Sequence, residues 1–227
     1  ASDAGFNPIP HIPVRLIETE AVLDRFLGAA VAGGRVQEVL LISGDYPDAS
    51  GPYSSVADVI RAGKLTEHGL TRVSLAGHPE GHPRVALDVI REAELEKSTL
   101  AAQAGLHASF VTQFFFEAQP FLRWVAHARA RGNRARLIAG LSGPGGVAQL
   151  FRFASRCGVG ASIRALGARP TSFVKLLGEH GPEGVMRELA QAHSEDQAGF
   201  DGLHFFCFGG YLRTCEWLQK VAAGRFE

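Results

Sequence analysis

The sequence predicts an α/β fold with a parallel sheet, and within that class a (β/α)8 barrel. Three observations carry the prediction. Short apolar runs alternate with longer segments of helical period along all 227 residues. Most of these runs are apolar nearly throughout rather than alternating, as strands covered on both faces by helices should be. Strand and helix alternate at about 30 to 35 residues per unit over the first five runs, the length of a strand–helix unit that crosses over to a parallel neighbour. An open doubly wound sheet is the alternative. It is disfavoured because G-x-G-x-x-G is missing from every strand-to-helix turn.

Taken in order, the first strand is read in "PIPHIPVR" (8–15). A helix follows in "TEAVLDRFLGAAVAGG" (19–34), with Thr19 as its cap and Gly33-Gly34 as its stop. The strand "EVLLISG" (38–44) leads through a Gly-Pro turn to the helix "SSVADVIRAG" (54–63). "RVSLAG" (72–77) is the third strand, and "RVALDVIREAELEKSTLAAQAG" (84–105) has apolar residues at helical spacing. After "SFVTQFFF" (109–116), the helix "QPFLRWVAHARARG" (119–132) carries Pro120 near its start, where a missing amide costs nothing. "RLIAGLS" (136–142) precedes "GPGG" and the helices "VAQLFRFASRCG" (147–158) and "EGVMRELAQAHSE" (183–195). "LHFFCF" (203–208) and the helix "YLRTCEWLQKVAA" (211–223) close the series. Only six strands are visible where the barrel needs eight, which would leave two edges unpaired. A segment ahead of residue 1 is therefore expected.

Composition narrows the function classes. Hydrophobic residues at 46% and charged residues at 20% allow a real core, and no linker or composition break divides the chain, so 1–227 reads as one barrel domain. Twenty-three basic side chains against twenty-three acidic ones leave no electrostatic footprint for nucleic acid or an anionic membrane. The arginines of "RARGNRARL" (129–137) read as a solvated helix end. Cys157, Cys207 and Cys215 have no paired spacing, so each is expected to pack as a small hydrophobe in a reducing compartment. No apolar run reaches the ~20 residues of a membrane span, and no signal-peptide pattern opens the chain. A cytoplasmic protein is expected.

The residues suited to chemistry follow the strands, where a barrel carries its site. They are His11, Ser43-Gly44-Asp45, the cluster in "LAGHPEGHP" (75–83), Thr112-Gln113 and "SGPGG". His78, Glu80 and His82 have a spacing that suits either a metal or a loop against a bound ligand. Pro79 and Pro83 favour the loop, and no metal is expected. Asp45 beside Gly44 is either a ligand contact or the cap of a short turn. The Gln113 amide meets either a ring with donor and acceptor edges or partners in the core. "GPGG" before a helix suits phosphate, but no Lys-Ser/Thr follows. Gln149 and Phe153, one turn apart, share a helix face.

Together these stretches resemble the methylenetetrahydrofolate reductase family. "LAGHPEGHP" is similar to the family's A-G-Y-P-E-x-H-P, "VTQFFFE" to I-T-Q-F-F-F-D, "ISGDYP" to L-R-G-D-x-P, "PHIPVR" to P-H-L-T-C, and "LHFF" to the final H-F-Y strand. They come in the family's order, from about residue 8 to the C-terminus. The resemblance implies a TIM-type (β/α)8 barrel that reduces 5,10-methylenetetrahydrofolate to 5-methyltetrahydrofolate, with FAD passing hydride from NADH or NADPH. It implies Asp45 as the catalytic carboxylate near flavin and pterin. His11, Gly44, Asp45, Ala76, His78 and His82 would line the flavin site. Asp45, Gln113, Gln149 and Phe153 would hold the folate.

The departures matter too. Ser43 replaces the family's Arg of R-G-D, Leu100 and Ala101 stand where it has a basic pair, and Gly210 stands at the Arg of L-N-R, with Arg213 nearby. Losing such charge-assisted contacts weakens the case for FAD and admits direct hydride transfer. The first two family strands, with the glutamate that serves as general acid, have no counterpart in the sequence. A non-catalytic tetrahydrofolate-binding protein or methyl-carrier partner is the alternative function; a homo-oligomer is compatible with either.

Overall fold

The computed structural model describes residues 1–44, 46–146, 149–150, 152–153, 182–194 and 199–225. Six strands form a sheet in the order β1-β2-β3-β4-β5-β6: β1 (His11–Pro13), β2 (Glu38–Ile42), β3 (Arg72–Gly77), β4 (His107–Phe114), β5 (Arg136–Ser142) and β6 (Gly202–Phe206). Helices alternate with them: α1 (Glu20–Gly34), α2 (Val56–Arg61), α3 (Lys64–Glu67), α4 (Leu87–Gln103), α5 (Ala118–Ala130), α6 (Glu183–Ser194) and α7 (Tyr211–Ala222). The registered pairs are parallel. Strand order follows chain order with no reversal, so the sheet has no switch point of the doubly wound kind. The architecture is that of a partial (β/α) barrel.

By contacts the chain divides into two compact units, one of residues 1–76, 91–110 and 133–136, the other of 77–90, 111–132 and 137–227. In the first unit β1 pairs with β2 (Ile12 with Leu41) and β2 with β3 (Leu40 with Ser74). Paired residues in parallel strands point to one face, so Val39, Leu41, Val73 and Leu75 form one buried row. Leu23 and Leu27 of α1 and Val59 and Ile60 of α2 are buried as well. The expected first strand shrinks to three residues because Pro8, Pro10 and Pro13 have no amide to give the ladder. Pairing still reaches Pro10, whose carbonyl accepts from Leu40 N at 2.9 Å.

Caps set the helix starts. The Thr19 hydroxyl accepts from Val22 N at 3.3 Å, as its position predicts. Ser55 and Asp58 form a reciprocal capping box on α2. The stop of α1 differs from expectation by one residue. Gly34 stays helical and Arg35 takes the left-handed turn, at φ 52°.

In α4 the Lys97 amine sits 6.0 Å from the centre of the Phe110 ring. Burial lowers its pKa below the ordinary lysine value, against the opposing pull of Glu94 and Glu96. Folding thus favours the neutral amine. The stability this group allows is fully present above the ordinary lysine pKa and lost as pH falls through the depressed one. At neutral pH the charge on this half-buried side chain is a cost. Lys97→Met is expected to raise the melting temperature at pH 7 by about 2–4 °C, the shift ~1 kcal/mol makes in a chain of this size. Calorimetry at pH 7 and pH 10 checks it; a fall in melting temperature at pH 7 would contradict the burial account.

In the second unit β5 pairs with β6 from Ile138–Gly202 to Ser142–Phe206. Its core is aromatic: Phe115 stacks on Phe121 at 5.1 Å, and Trp124 lies 5.8 Å from Phe121. Gly140 lets β5 approach β4 closely, since a Cβ there would stand 2.2 Å from the Thr112 carbonyl. Its amide donates to the buried Thr112 hydroxyl at 2.8 Å, so Thr112 has a structural task. The expectation of packed cysteines fails for Cys207, which is exposed just past β6; Cys157 lies outside the described residues.

Candidate folate and cofactor site

Each unit carries part of the residue set that the sequence singled out. In the first, β2 delivers the chain to Ser43 and Gly44. Gly44 has φ 85°, and a Cβ on it would meet the Tyr46 ring at 2.9 Å, so the backbone turns sharply here. Asp45 lies outside the described residues. The loop beyond it is braced from β1's side of the unit. Arg15 donates from Nη1 to the Tyr46 carbonyl at 2.7 Å and from Nε to the Ser54 carbonyl at 2.9 Å. Ser50 N returns a bond to the Arg15 carbonyl at 2.7 Å. Gly51 sits so close to the backbone of Ile17 and Glu18 that a Cβ would stand 2.3 Å from both carbonyl oxygens. Sequence reasoning missed Arg15 and Gly51 because their partners are 31 to 39 residues away in one direction and across a loop in the other.

His11 is the first residue of β1, in register with Leu40, so it lies short of the strand ends where the sequence reading placed it. Although the residue is exposed, partial burial of its ring lowers the imidazole pKa below the ordinary histidine value. A neutral ring at pH 7 follows, one nitrogen donating and the other accepting. Ala76 is the penultimate residue of β3 and half-buried.

In the second unit the "GHPEGHP" stretch is a loop, as Pro79 and Pro83 require. Gly81 turns it at φ 85°, and Gly81 N donates to the His78 carbonyl at 3.0 Å. His82 Nδ1 accepts from Arg84 N at 3.3 Å, which puts its ring proton on Nε2. The His78 and His82 rings meet edge to face at 6.2 Å. Half-buried Gln113, on β4, donates from Nε2 to the Gly81 carbonyl at 3.2 Å. That bond ties the amide to the loop and leaves its oxygen and second N–H for a ligand edge. Among the described residues no three His, Cys, Asp or Glu side chains gather as a metal would require.

Gln149 and Phe153 do share a face, and both reach Phe208. The Gln149 amide donates to the Phe208 carbonyl. The Phe153 ring stacks on Phe208 at 4.4 Å, and Phe208 stacks in turn on Phe206 at 5.5 Å. Phe114 adds its edge to Phe208 at 4.8 Å. Phe208 was missed as a site residue, since an aromatic after a strand carries no local signal. The glycines of "SGPGG" serve backbone approach. Gly143 N donates to the Phe206 carbonyl at 2.9 Å, and a Cβ on Gly143 would stand 2.7 Å from the Thr214 hydroxyl. A Cβ on Gly209 would stand 1.9 Å from the Pro144 carbonyl, so no side chain fits there.

The fit to a flavin diphosphate is poor. At the positions assigned to basic contacts, Leu100 is half-buried, Ala101 is wholly buried and Gly210 has open space around it. Arg213 is exposed on α7. The diphosphate has no cation at those positions.

Comparison with known proteins places the chain in a family. The family profile described as methylenetetrahydrofolate reductase matches residues 2–165. A 5,10-methylenetetrahydrofolate reductase of Pectobacterium carotovorum subsp. carotovorum is 28% identical over 125 residues, covering 55% of this chain and 40% of the relative. One of Salmonella typhimurium strain LT2 matches with the same identity and coverage. The chain thus matches well under half of the length of these relatives. With more than half of its own residues matched by the profile, the chain belongs to the methylenetetrahydrofolate reductase family.

Proposed function

We propose that the protein binds a reduced folate and reduces 5,10-methylenetetrahydrofolate to 5-methyltetrahydrofolate with NAD(P)H. The observation that carries this reading is the Gln113 amide, held by the Gly81 carbonyl with an acceptor and a donor left over. That edge complements the amide-like edge of a pterin. Gln149 and the Phe153 ring supply a hydrogen bond and an aromatic surface for the rest of the folate. Asp45 acts by charge: opening of the methylene bridge builds an iminium cation, which its carboxylate stabilises. Hydride from the nicotinamide then converts the iminium carbon to a methyl group, and the net reaction takes up one proton. A flavin, where bound, relays the two electrons; no step assigned to these residues depends on it. Localisation in the cytoplasm belongs to the same reading. Among the described residues no helix is long and apolar enough to cross a membrane.

A second reading is a folate-binding protein without turnover. The missing cations at residues 43, 100, 101 and 210 favour it. The experiment is oxidation of NADH and of NADPH by methylenetetrahydrofolate, with and without added FAD, beside a folate-binding titration. Turnover is expected. Turnover that requires FAD means other groups hold the diphosphate; turnover indifferent to FAD means direct transfer. Folate binding without turnover in any arm replaces the reductase reading with the second one.

A further inference from the structure

The opposite end of the strands holds a feature that the folate reading does not use. Glu38, Arg72, His107 and Arg136 are the first residues of β2, β3, β4 and β5. With Arg134 they line a cavity of about 460 Å³ in the first unit. Three arginines and one glutamate thus line it. Glu38 is held in place: its Oε1 accepts from the Ser74 hydroxyl at 2.6 Å and the Ser109 hydroxyl at 3.1 Å. Its Oε2 lies 3.7 Å from Arg72 Nε, an ion pair without a hydrogen bond. Arg72 Nε is shut off from water and has no hydrogen-bond partner among the described residues, although Nη2 donates to Gln37 at 2.6 Å.

The other two arginines come from the "RARGNRARL" run, expected to be only a solvated helix end. The structure separates its members. Arg129 is engaged, donating to Asp201 at 3.1 Å and to the Gly199 carbonyl at 2.9 Å. Arg134 and Arg136 have no ion-pair partner among the described residues. The turn that presents them is rigid. Asn133 is buried, and its Oδ1 accepts from Ser98 Oγ at 3.0 Å and from Ala135 N at 2.9 Å.

We propose that this cavity is a binding site for a phosphate monoester. Glu38 compensates Arg72, so two guanidiniums remain in excess, matching a dianion. Guanidinium forks recognise phosphoryl oxygens in pairs. The volume exceeds what inorganic phosphate needs and lies in the range of small-molecule sites. Ala102 and Leu106 add an apolar wall for an organic portion. The site is distinct from the folate residues, because the rise from Glu38 to Ile42 along β2 puts the strand ends about 13 Å apart.

The test is isothermal titration of the full chain with glycerol 3-phosphate and inorganic phosphate at constant ionic strength, with phosphatidylglycerol vesicles as a separate arm. Saturable one-to-one binding of glycerol 3-phosphate is expected with a dissociation constant below about 1 mM. R134Q/R136Q should weaken it at least about tenfold. Both side chains are exposed, so the unliganded melting temperature should stay put. A double variant that binds as well as the parent, or a parent that does not saturate, overturns the site. Vesicle binding without glycerol 3-phosphate binding overturns it too, assigning the arginines to a lipid surface.

Discussion

Asp45→Asn is expected to lower turnover of methylenetetrahydrofolate by about a hundredfold or more while folate affinity changes little. The substitution keeps the size and the acceptor oxygen and removes only the charge. A substrate that is neutral where it faces residue 45 loses little by that. The iminium cation that follows loses its counter-charge, and the loss appears only in the step that creates it. Removing one preorganised electrostatic contact of this kind typically costs 10²- to 10³-fold in kcat, or about 2.7–4 kcal/mol. Measuring kcat beside the dissociation constant of tetrahydrofolate separates the cases. A parallel loss in both would make Asp45 a binding residue and remove its catalytic assignment.

Gly51→Ala is expected to destabilise the protein by about 3 kcal/mol, at the upper end of ordinary overpacking. The obstacle is space. A Cβ would stand 2.3 Å from the carbonyl oxygens of Ile17 and Glu18, which are backbone and have no rotamer to give. The loop would have to retreat, stretching the bond from Ser50 N to the Arg15 carbonyl and the two bonds from the Arg15 guanidinium to Tyr46 and Ser54. Activity should fall with stability, because this loop follows Asp45 in the chain. Gly33→Ala is the control: it lies within α1 with nothing near its Cβ position. It should be neutral or stabilising by about 0.5–1 kcal/mol. Urea midpoints of the two variants give the comparison, and a Gly51→Ala midpoint equal to the parent's would refute the close approach.

The sequence by itself determined the order of the strands and most of the helix starts, though not the short α3. Thr19 and Ser55 cap through bonds that span three residues, and buried strands declare themselves as apolar runs; both signals are local, so one stretch of chain suffices to read them. The common face of Gln149 and Phe153 follows from helical period in the same way. Tertiary structure alone decided the rest. "RARGNRARL" reads as one basic run, yet Arg129 meets Asp201 while Arg134 and Arg136 line a cavity with Arg72. Nothing within the run separates them, because their surroundings come from residues far away in the chain. Arg15, Gly51 and Gly209 owe their tasks to backbone atoms elsewhere in the fold, and Phe208 to the rings of Phe114, Phe153 and Phe206. A carbonyl looks the same in every residue, so a sequence does not reveal which one will be approached.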